Sequence, residues 1–482
     1  MTRRIADLLE YVTIASLLVT LVSGMVLGSG VSATARGVFL ALAGVTCLLS
    51  GFAMLCAGRW RIVRSLIWLP LFLFLCLGAL QITPAVQAYL PENSLNGGDV
   101  ISASRHATLQ MTIWLFGGIM LAFVVGSQIR TTDRLSLATG VLTLSLWVIG
   151  LVGFGQTLLG RPQLAGFISP DDPKVPAIIH DIYGADSAHG LVAYGSWMQT
   201  TPGDTSLFVP RAATYHYFGG FLDAKHWTAC VMVLVPMLLA MCVHLAGYAG
   251  VGGWRTHGQT QQSWLLWTVG LCMSGTAAWM GDPVVVPTVL TTSLLVTVFW
   301  MGPDERKRAF FPGMAYLTVM AGICAAYLSL IGAPPFLERF QAWLSDGQSL
   351  REMLEGHWLF GIGLGSTVDV WPMYRSHSAT VGHEGSSLLA LAAEIGMAGS
   401  ALIGIMMLYV LIASFAVYSR LDQDGRVALA GSWGGLVGLI LFGAFGPALD
   451  LPVVLGLAIF ALACLMRALA GGYRNEEALL AV

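Results

Sequence analysis

Charge is what this chain has least of. Asp, Glu, Lys and Arg make up only 10% of its 482 residues, while hydrophobic residues make up 56%. An ordinary soluble domain carries about a quarter charged residues. With a mean hydropathy of +0.74, there is too little charge to cover a water-exposed surface. That excludes a soluble globular domain and predicts an all-α polytopic membrane protein. The net charge of −2 shows no basic excess, so nucleic acid is not an expected partner.

Cysteine is present without a pattern. Cys47, Cys56, Cys76, Cys230, Cys242, Cys272, Cys324 and Cys464 all fall inside apolar runs, none at metal-ligand spacing. Each is read as a small buried hydrophobe, and no disulfide framework is expected. A Walker loop, HExxH, GxSxG, a GxGxxG entering a helix and a repeat of fixed period are all lacking. His180, His189, His357 and His377 are read as surface histidines, because a metal needs three or four convergent ligands. No cofactor or protein-held metal is expected.

What the chain has is apolar blocks long enough to cross hydrocarbon, which takes about twenty residues. They lie near 9–29, 37–57, 65–84, 109–127, 136–159, 228–248, 263–281, 284–302, 311–332, 397–418, 428–448 and 453–471. About 12 transmembrane helices are therefore predicted, with a half-span at 386–395. Gly281-Asp282-Pro283 and the pair Asp450 and Pro452 interrupt their runs and mark candidate broken or re-entrant helices. The N-terminal MTRRIADLLE leads into the first run without a small-residue cleavage site, which predicts an uncleaved first span.

Lys and Arg collect in short connections such as Arg59–Arg64 and Asp304–Arg308. Short basic loops mark the cytoplasm, so both termini are expected inside. The chain is read as one integral membrane domain over 1–482, with long extracytoplasmic loops at 85–108, 160–227 and 333–385, the last with short helices. Loops longer than about fifteen residues are usually functional or disordered.

The polar residues gather between Ser349 and Gly399: Arg351, His357, Arg375, His377, His383, Glu384 and then Glu394 inside an apolar pattern. Titratable groups at a membrane boundary are expensive to keep, so a functional site is expected there. Arg351 suits a bidentate anion clamp, or an i,i+4 pair with Glu355. Gly361-Ile362-Gly363-Leu364-Gly365-Ser366 is either a phosphate-cradling loop or a plain turn. A helix running from His383 would put His383, Ser387, Ala390 and Glu394 on one stripe. In that stripe His383 is a candidate general base or an interfacial histidine, and Glu394 faces a polar cavity or makes a packing hydrogen bond. A second patch, Phe218–Ala229, brings Lys225 and His226 to headgroup level, as an anchor or as part of the site.

Several of these segments resemble one family, the O-antigen ligase and Wzy-type polymerase superfamily of polytopic envelope glycosyltransferases. Leu80-Gln81-Ile82-Thr83-Pro84 is similar to its LQ-x-x-P motif, and Gly155-Gln156 loosely to its G-x-Q segment. Gly219–His226 resembles GTFxNxNH, with Asp223 and Lys225 where Asn is usual. Arg351, Phe360–Ser366 and Tyr374 resemble its R…P-x-x-G-x-G-x-G…Y run, and Leu389–Gly399 its L-x-x-x-x-E-x-G-x-x-G signature. The ligase-like region covers 218–418. The chain departs from the pattern at Gly385, where the family has His-Asn, with His383 two residues earlier. It also lacks the Ser-Arg pair, reading SGTAAWMGDP instead.

The resemblance implies a GT-C-like fold in the bacterial inner membrane. It also implies transfer on the outer face, from an undecaprenyl-diphosphate-linked glycan to a glycan, lipid A-core or protein acceptor. Fixed cations at headgroup level would then steady the diphosphate, with Arg211, Arg351, Arg339 and Arg375 as candidates. His383 or Glu384 would take the acceptor's proton. Two other classes stand beside this one. A transporter would line a path with Glu394 and Asp282 and show pseudo-symmetric halves, which the sequence does not display; a non-catalytic envelope polysaccharide assembly protein would need none of the chemistry. Reporter fusions at Asp172 and Gly347 are expected to register the outside and one at Asp304 the cytoplasm. A cytoplasmic signal at Asp172 overturns the orientation.

Overall fold

The computed structural model describes residues 2–26, 33–58, 63, 65–83, 102, 105–158, 221, 224–248, 255–280, 285–331, 351, 354, 357–367, 386–446 and 452–470. Among the described residues there are twelve α-helices and no strand. They are α1 (Thr2–Val26), α2 (Ala33–Ala57), α3 (Trp68–Ile82), α4 (Arg105–Gln128), α5 (Thr132–Leu158) and α6 (Ala224–Tyr248). The remainder are α7 (Arg255–Met280), α8 (Val285–Trp300), α9 (Pro303–Ile331), α10 (Ser387–Tyr418), α11 (Gln423–Phe445) and α12 (Pro452–Leu469). Each apolar block of the sequence falls on one of them. By length and composition α1, α2, α4, α5, α6, α10 and α11 can cross a bilayer, while α3, α8 and α12 are shorter apolar helices. The protein is a helical membrane protein.

Three expectations change. The first outer loop, expected over 85–108, ends sooner, because α4 already begins at Arg105. The stripe that a helix running from His383 would make is cut short: α10 begins at Ser387, within a residue of the half-span expected at 386–395, where the extended Ser386 (φ −64°, ψ 121°) caps it by accepting from Leu389 N. The stripe therefore keeps only Ser387, Ala390 and Glu394. Cys56, Cys76 and Cys272 are exposed on the outside of the bundle, whereas Cys230, Cys242 and Cys464 are buried. A thiol on a lipid-facing surface needs no protein around it.

The centre of the bundle is α6. It is apolar on all sides, the pattern of a helix with no solvent or lipid face, and every residue from Trp227 to Val243 is buried. Trp227 pins it to α5, donating from Nε1 to the Leu146 carbonyl at 3.0 Å, while Gly150 leaves room for the indole. Pro236 deprives the Met232 carbonyl of its usual i+4 donor. α11 packs closely on this helix through Gly431, Gly434, Gly435 and Gly438. A Cβ on Gly438 would stand 2.8 Å from the Met232 carbonyl, and one on Gly434 would overlap the Thr297 hydroxyl of α8. Small residues on one face let backbones approach where lipid offers no hydrophobic drive. Ser293 of α8 adds a bond from its hydroxyl to the Gly434 carbonyl at 2.8 Å.

Alternation along the chain gives the bundle two ends. At one end, Arg130 and Arg134 reach Glu10 at 2.5 and 3.1 Å, and Glu10 is buried. The same end holds His244 Nε2 at 3.5 Å from Asp424 Oδ1, and the Tyr418 hydroxyl on the Met301 carbonyl at 2.9 Å. Trp300 stacks on Trp433 there, with ring centroids 6.1 Å apart. The other end carries the C-terminus of α3 and the N-termini of α4, α6 and α10.

Gly434→Leu is expected to lower stability by about 1–3 kcal/mol or more through overpacking, read as a lower thermal unfolding midpoint in detergent. Gly44→Leu, where a Cβ meets nothing within 4 Å, is expected to leave the midpoint unchanged.

Candidate functional site

At that second end, three segments far apart in sequence close on one another. α10 is broken at Gly396, whose φ of 61° and ψ of −164° belong to no helix. The break frees backbone groups on both sides, and a bilayer supplies no water to take them up. The segment His357–Thr367 does so instead. Ile362 N donates to the Ala393 carbonyl at 3.0 Å and Gly363 N to the Glu394 carbonyl at 3.2 Å. From beyond the break, Met397 N and Ala398 N donate to the Trp358 and Leu359 carbonyls at 2.8 and 2.9 Å.

Gln81, at the end of α3, ties the two together. Its Nε2 donates to the carbonyls of Phe360 at 2.7 Å and Glu394 at 2.9 Å, and its Oε1 accepts from Leu364 N at 3.1 Å. The side chain is fully buried. Gly361 and Gly396 have positive φ and face each other so closely that a Cβ on either would overlap the other strand of the contact. Both must therefore be glycine. Beneath them Phe74, Leu77, Leu364 and Ile395 form a small core of their own.

This arrangement corrects the reading of Gly361–Ser366 as a phosphate cradle. A cradle needs free N–H groups pointing at the anion. Six of the seven from Gly361 to Thr367 are engaged within the protein: those of Gly361, Ile362, Gly363, Leu364, Ser366 and Thr367. The glycines shape a lock, not an anion nest. On its far side the buried hydroxyls of Ser102, Thr108 and Ser366 lie within 2.6 to 3.2 Å of one another, and Ser102 N donates to the Gln81 carbonyl at 3.1 Å.

Glu394 is part of the lock. It is 8% exposed, and its Oε1 accepts from Thr367 N at 3.3 Å. Arg351 is exposed, upstream of the same loop. His357 is half-buried, and burial pushes its imidazole below the ordinary histidine range, so it is neutral near pH 7. Lys225 and His226 open α6. The facing pairs Met232–Gly438, Val233–Gly435 and Met237–Gly431 set α6 antiparallel to α11. That register brings His226 level with the last turn of α11, whose Gly443 and Gly446 carbonyls accept from the Ser386 and Ser387 hydroxyls, both at 3.1 Å. Thus Lys225 and His226 share a level with the start of α10, and Nδ1 of the buried His226 has no hydrogen-bond partner among the described residues. His383, Glu384, Arg211, Arg339 and Arg375 lie outside the described residues, as does Gly385.

No group of three or more His, Cys, Asp or Glu that could hold a metal occurs among the described residues. No known protein-family model matches the chain, and no characterised protein matches it significantly. Sequence reasoning did not single out Gln81, Ser102, Thr108 or Thr367 as site residues. The available signal for Gln81 was its place in Leu80–Pro84, the segment similar to LQ-x-x-P, at the end of an apolar run.

Gln81→Leu keeps the volume but takes this partner from the Leu364 N–H and the Phe360 carbonyl, and one of two donors from the Glu394 carbonyl, which keeps Gly363 N. Orphaned buried groups cost about 1–3 kcal/mol each, so the variant is expected to melt well below the parent. An unchanged unfolding midpoint overturns the lock.

Proposed function

We propose that the protein is an inner-membrane glycosyltransferase. It moves a glycan from an undecaprenyl-diphosphate-type carrier to an acceptor on the outer face, as an O-antigen ligase or a polysaccharide polymerase does. One observation carries the reading. Gln81, Phe360–Ser366 and Glu394–Gly399, each resembling a different motif of that superfamily, meet in a single hydrogen-bonded lock. Motifs dispersed through a chain have a shared reason to occur together when they build one feature. In this reading all twelve helices cross the bilayer in a GT-C-like arrangement, both termini are cytoplasmic, and the lock end faces outward.

The proposed chemistry draws on Arg351 and on charged residues of the long loops. Arg351, with Arg211, Arg339 and Arg375, holds the carrier's diphosphate and stabilises the charge that grows on it as it leaves. His383 or Glu384 accepts the proton of the acceptor hydroxyl. The new C1–O bond forms as the bond from C1 to the phosphate oxygen breaks, with inversion at the anomeric carbon, and the diphosphate leaves on its lipid. Lys225 and His226 form the opposite wall.

A broken helix with a buried acid is also the mark of many transporters. In those, the broken backbone faces a cavity and coordinates the solute. The carbonyls and N–H groups around Gly396 are instead taken up by Gln81 and His357–Thr367, which favours the transferase.

Purified protein given a lipid-diphosphate-linked glycan and an acceptor is expected to form the glycosylated product. Arg351→Ala and His383→Ala are each expected to lower turnover by roughly 100-fold or more, while Lys307→Ala, an exposed residue at the opposite end, leaves it intact. Wild-type turnover in both variants sinks the assignment of these residues.

A further inference from the structure

The end of the bundle opposite the lock carries a guanidinium that the fold holds still. Arg306, in the first turn of α9, reaches back to the C-terminus of α8. It donates from Nε to the Val298 carbonyl at 3.2 Å and from Nη2 to the Phe299 carbonyl at 2.5 Å. We propose that Arg306 is the headgroup clamp of a binding site for an anionic phospholipid, whose acyl chains lie in the recess between α8 and α9. The proposal does not depend on the transferase reading.

The register of α9 puts the recess under the charge. Glu305, Ala309, Pro312 and Tyr316 are buried against the bundle. Arg306, Phe310, Gly313 and Leu317 follow at i, i+4, i+7 and i+11 on the adjoining face, where Phe310 is 61% exposed. A Cβ on Gly313 would meet nothing within 4 Å, so this face is hollow between two large apolar side chains. α8 presents Leu295 and Phe299, exposed and one turn apart, next to the carbonyl that Arg306 holds. The Phe299 ring is steadied edge-on by Phe415 of α10, with centroids 6.5 Å apart. From Arg306 to Leu317 the face runs for about 16 Å at 1.5 Å per residue.

Charge selects the occupant. The two carbonyls take up Nε and Nη2 and leave the Nη1 hydrogens for a ligand. Because the side chain is already ordered, little of its rotamer freedom remains to be lost on binding. Among the described residues Arg306, Arg308 and Arg420 are exposed and form no ion pair with a carboxylate. Arg420 is brought to this end by Tyr418, whose hydroxyl donates to the Met301 carbonyl at 2.9 Å. The acids nearby are turned elsewhere: Asp304 lies 3.8 Å from Lys307 Nζ, and Glu305 is buried against Gly302. A phosphate that carries net negative charge gains from these donors. A zwitterionic headgroup adds an ammonium that meets more cations than free acids. A soluble anion would use the guanidinium and leave Phe299 and Phe310 uncovered, so the two parts together fit a lipid.

Native mass spectrometry of the detergent-purified protein tests this, with phosphatidylglycerol and phosphatidylethanolamine of identical acyl chains titrated in separate arms. Phosphatidylglycerol is expected to bind at least about fivefold more tightly, the factor that one arginine near an anionic headgroup supports. Arg306→Gln is expected to bring its binding down to that of phosphatidylethanolamine. Lys307→Gln removes the same charge one residue away and is expected to keep the preference. Gly313→Phe fills the recess without touching a charge, and is expected to weaken phosphatidylglycerol binding while leaving the unfolding midpoint unchanged. That variant decides the matter even where Arg306→Gln loosens the end of α8 and lowers the midpoint. Equal binding of the two lipids by the parent overturns the proposal. So does an equal loss in Lys307→Gln and Arg306→Gln, which would mean diffuse basic charge. Undiminished phosphatidylglycerol binding in Gly313→Phe overturns it too, leaving Arg306 as a cap on α8 alone. Because no turnover is read, the result stands apart from the test of glycan transfer.

Discussion

The carboxamide of Gln81 is the interaction on which the lock end of this molecule depends. A broken helix in a bilayer must find partners for the groups it releases, since the hydrocarbon offers none. The partners here come from a glycine-rich segment that has little regular structure to hold it in place. Gln81 supplies what both lack, two donors and an acceptor on one rigid plane, and engages Phe360, Glu394 and Leu364 together. A glutamate there would lose the donors, and an asparagine would fall a methylene short.

The lock is built on a separate foundation from the bundle's centre. α6 and α11 approach through Gly431, Gly434, Gly435 and Gly438, and the Met232 carbonyl, which Pro236 deprives of its i+4 donor, lies against Gly438. That packing sets the depth of α6, and so the level at which Lys225 and His226 emerge beside the start of α10. The Ser386 and Ser387 hydroxyls then join α10 to the end of α11. Two packing systems, one of glycines against a proline-bearing helix and one of glycines against a glutamine, meet at the N-terminus of α10.

This division gives the proposed chemistry a rigid floor and a mostly separate set of charged groups above it. Glu394 has its carboxylate bonded to the loop it supports, accepting from Thr367 N, and so holds that loop in place. The groups that would touch a diphosphate or an acceptor are Arg351 and the side chains of the long loops. Sites built this way vary by changing loops while the helices beneath stay the same.

Much of the architecture was legible in the residues. Twelve apolar blocks fell on twelve helices because the period and length of a membrane helix are written locally, in side chains that each must face lipid or one another. Even the division of α10 was legible, since the half-span at 386–395 and the span at 397–418 meet at the Gly396 break. The meaning of the polar residues was not. Gly361–Ser366 reads equally as an anion cradle or a turn until its donors are followed to their acceptors, and Gln81 reads as part of a short motif-like segment that names no partner for its carboxamide. The start of α10 at Ser387 depended on a cap and on carbonyls of α11 some sixty residues further along the chain. By itself the sequence determined which segments are helical and apolar, because that follows from neighbours along the chain. Only the tertiary structure decided which polar groups are consumed in holding the fold, because hydrogen-bond partners in a membrane are found across helices, where spacing in sequence carries no record of them.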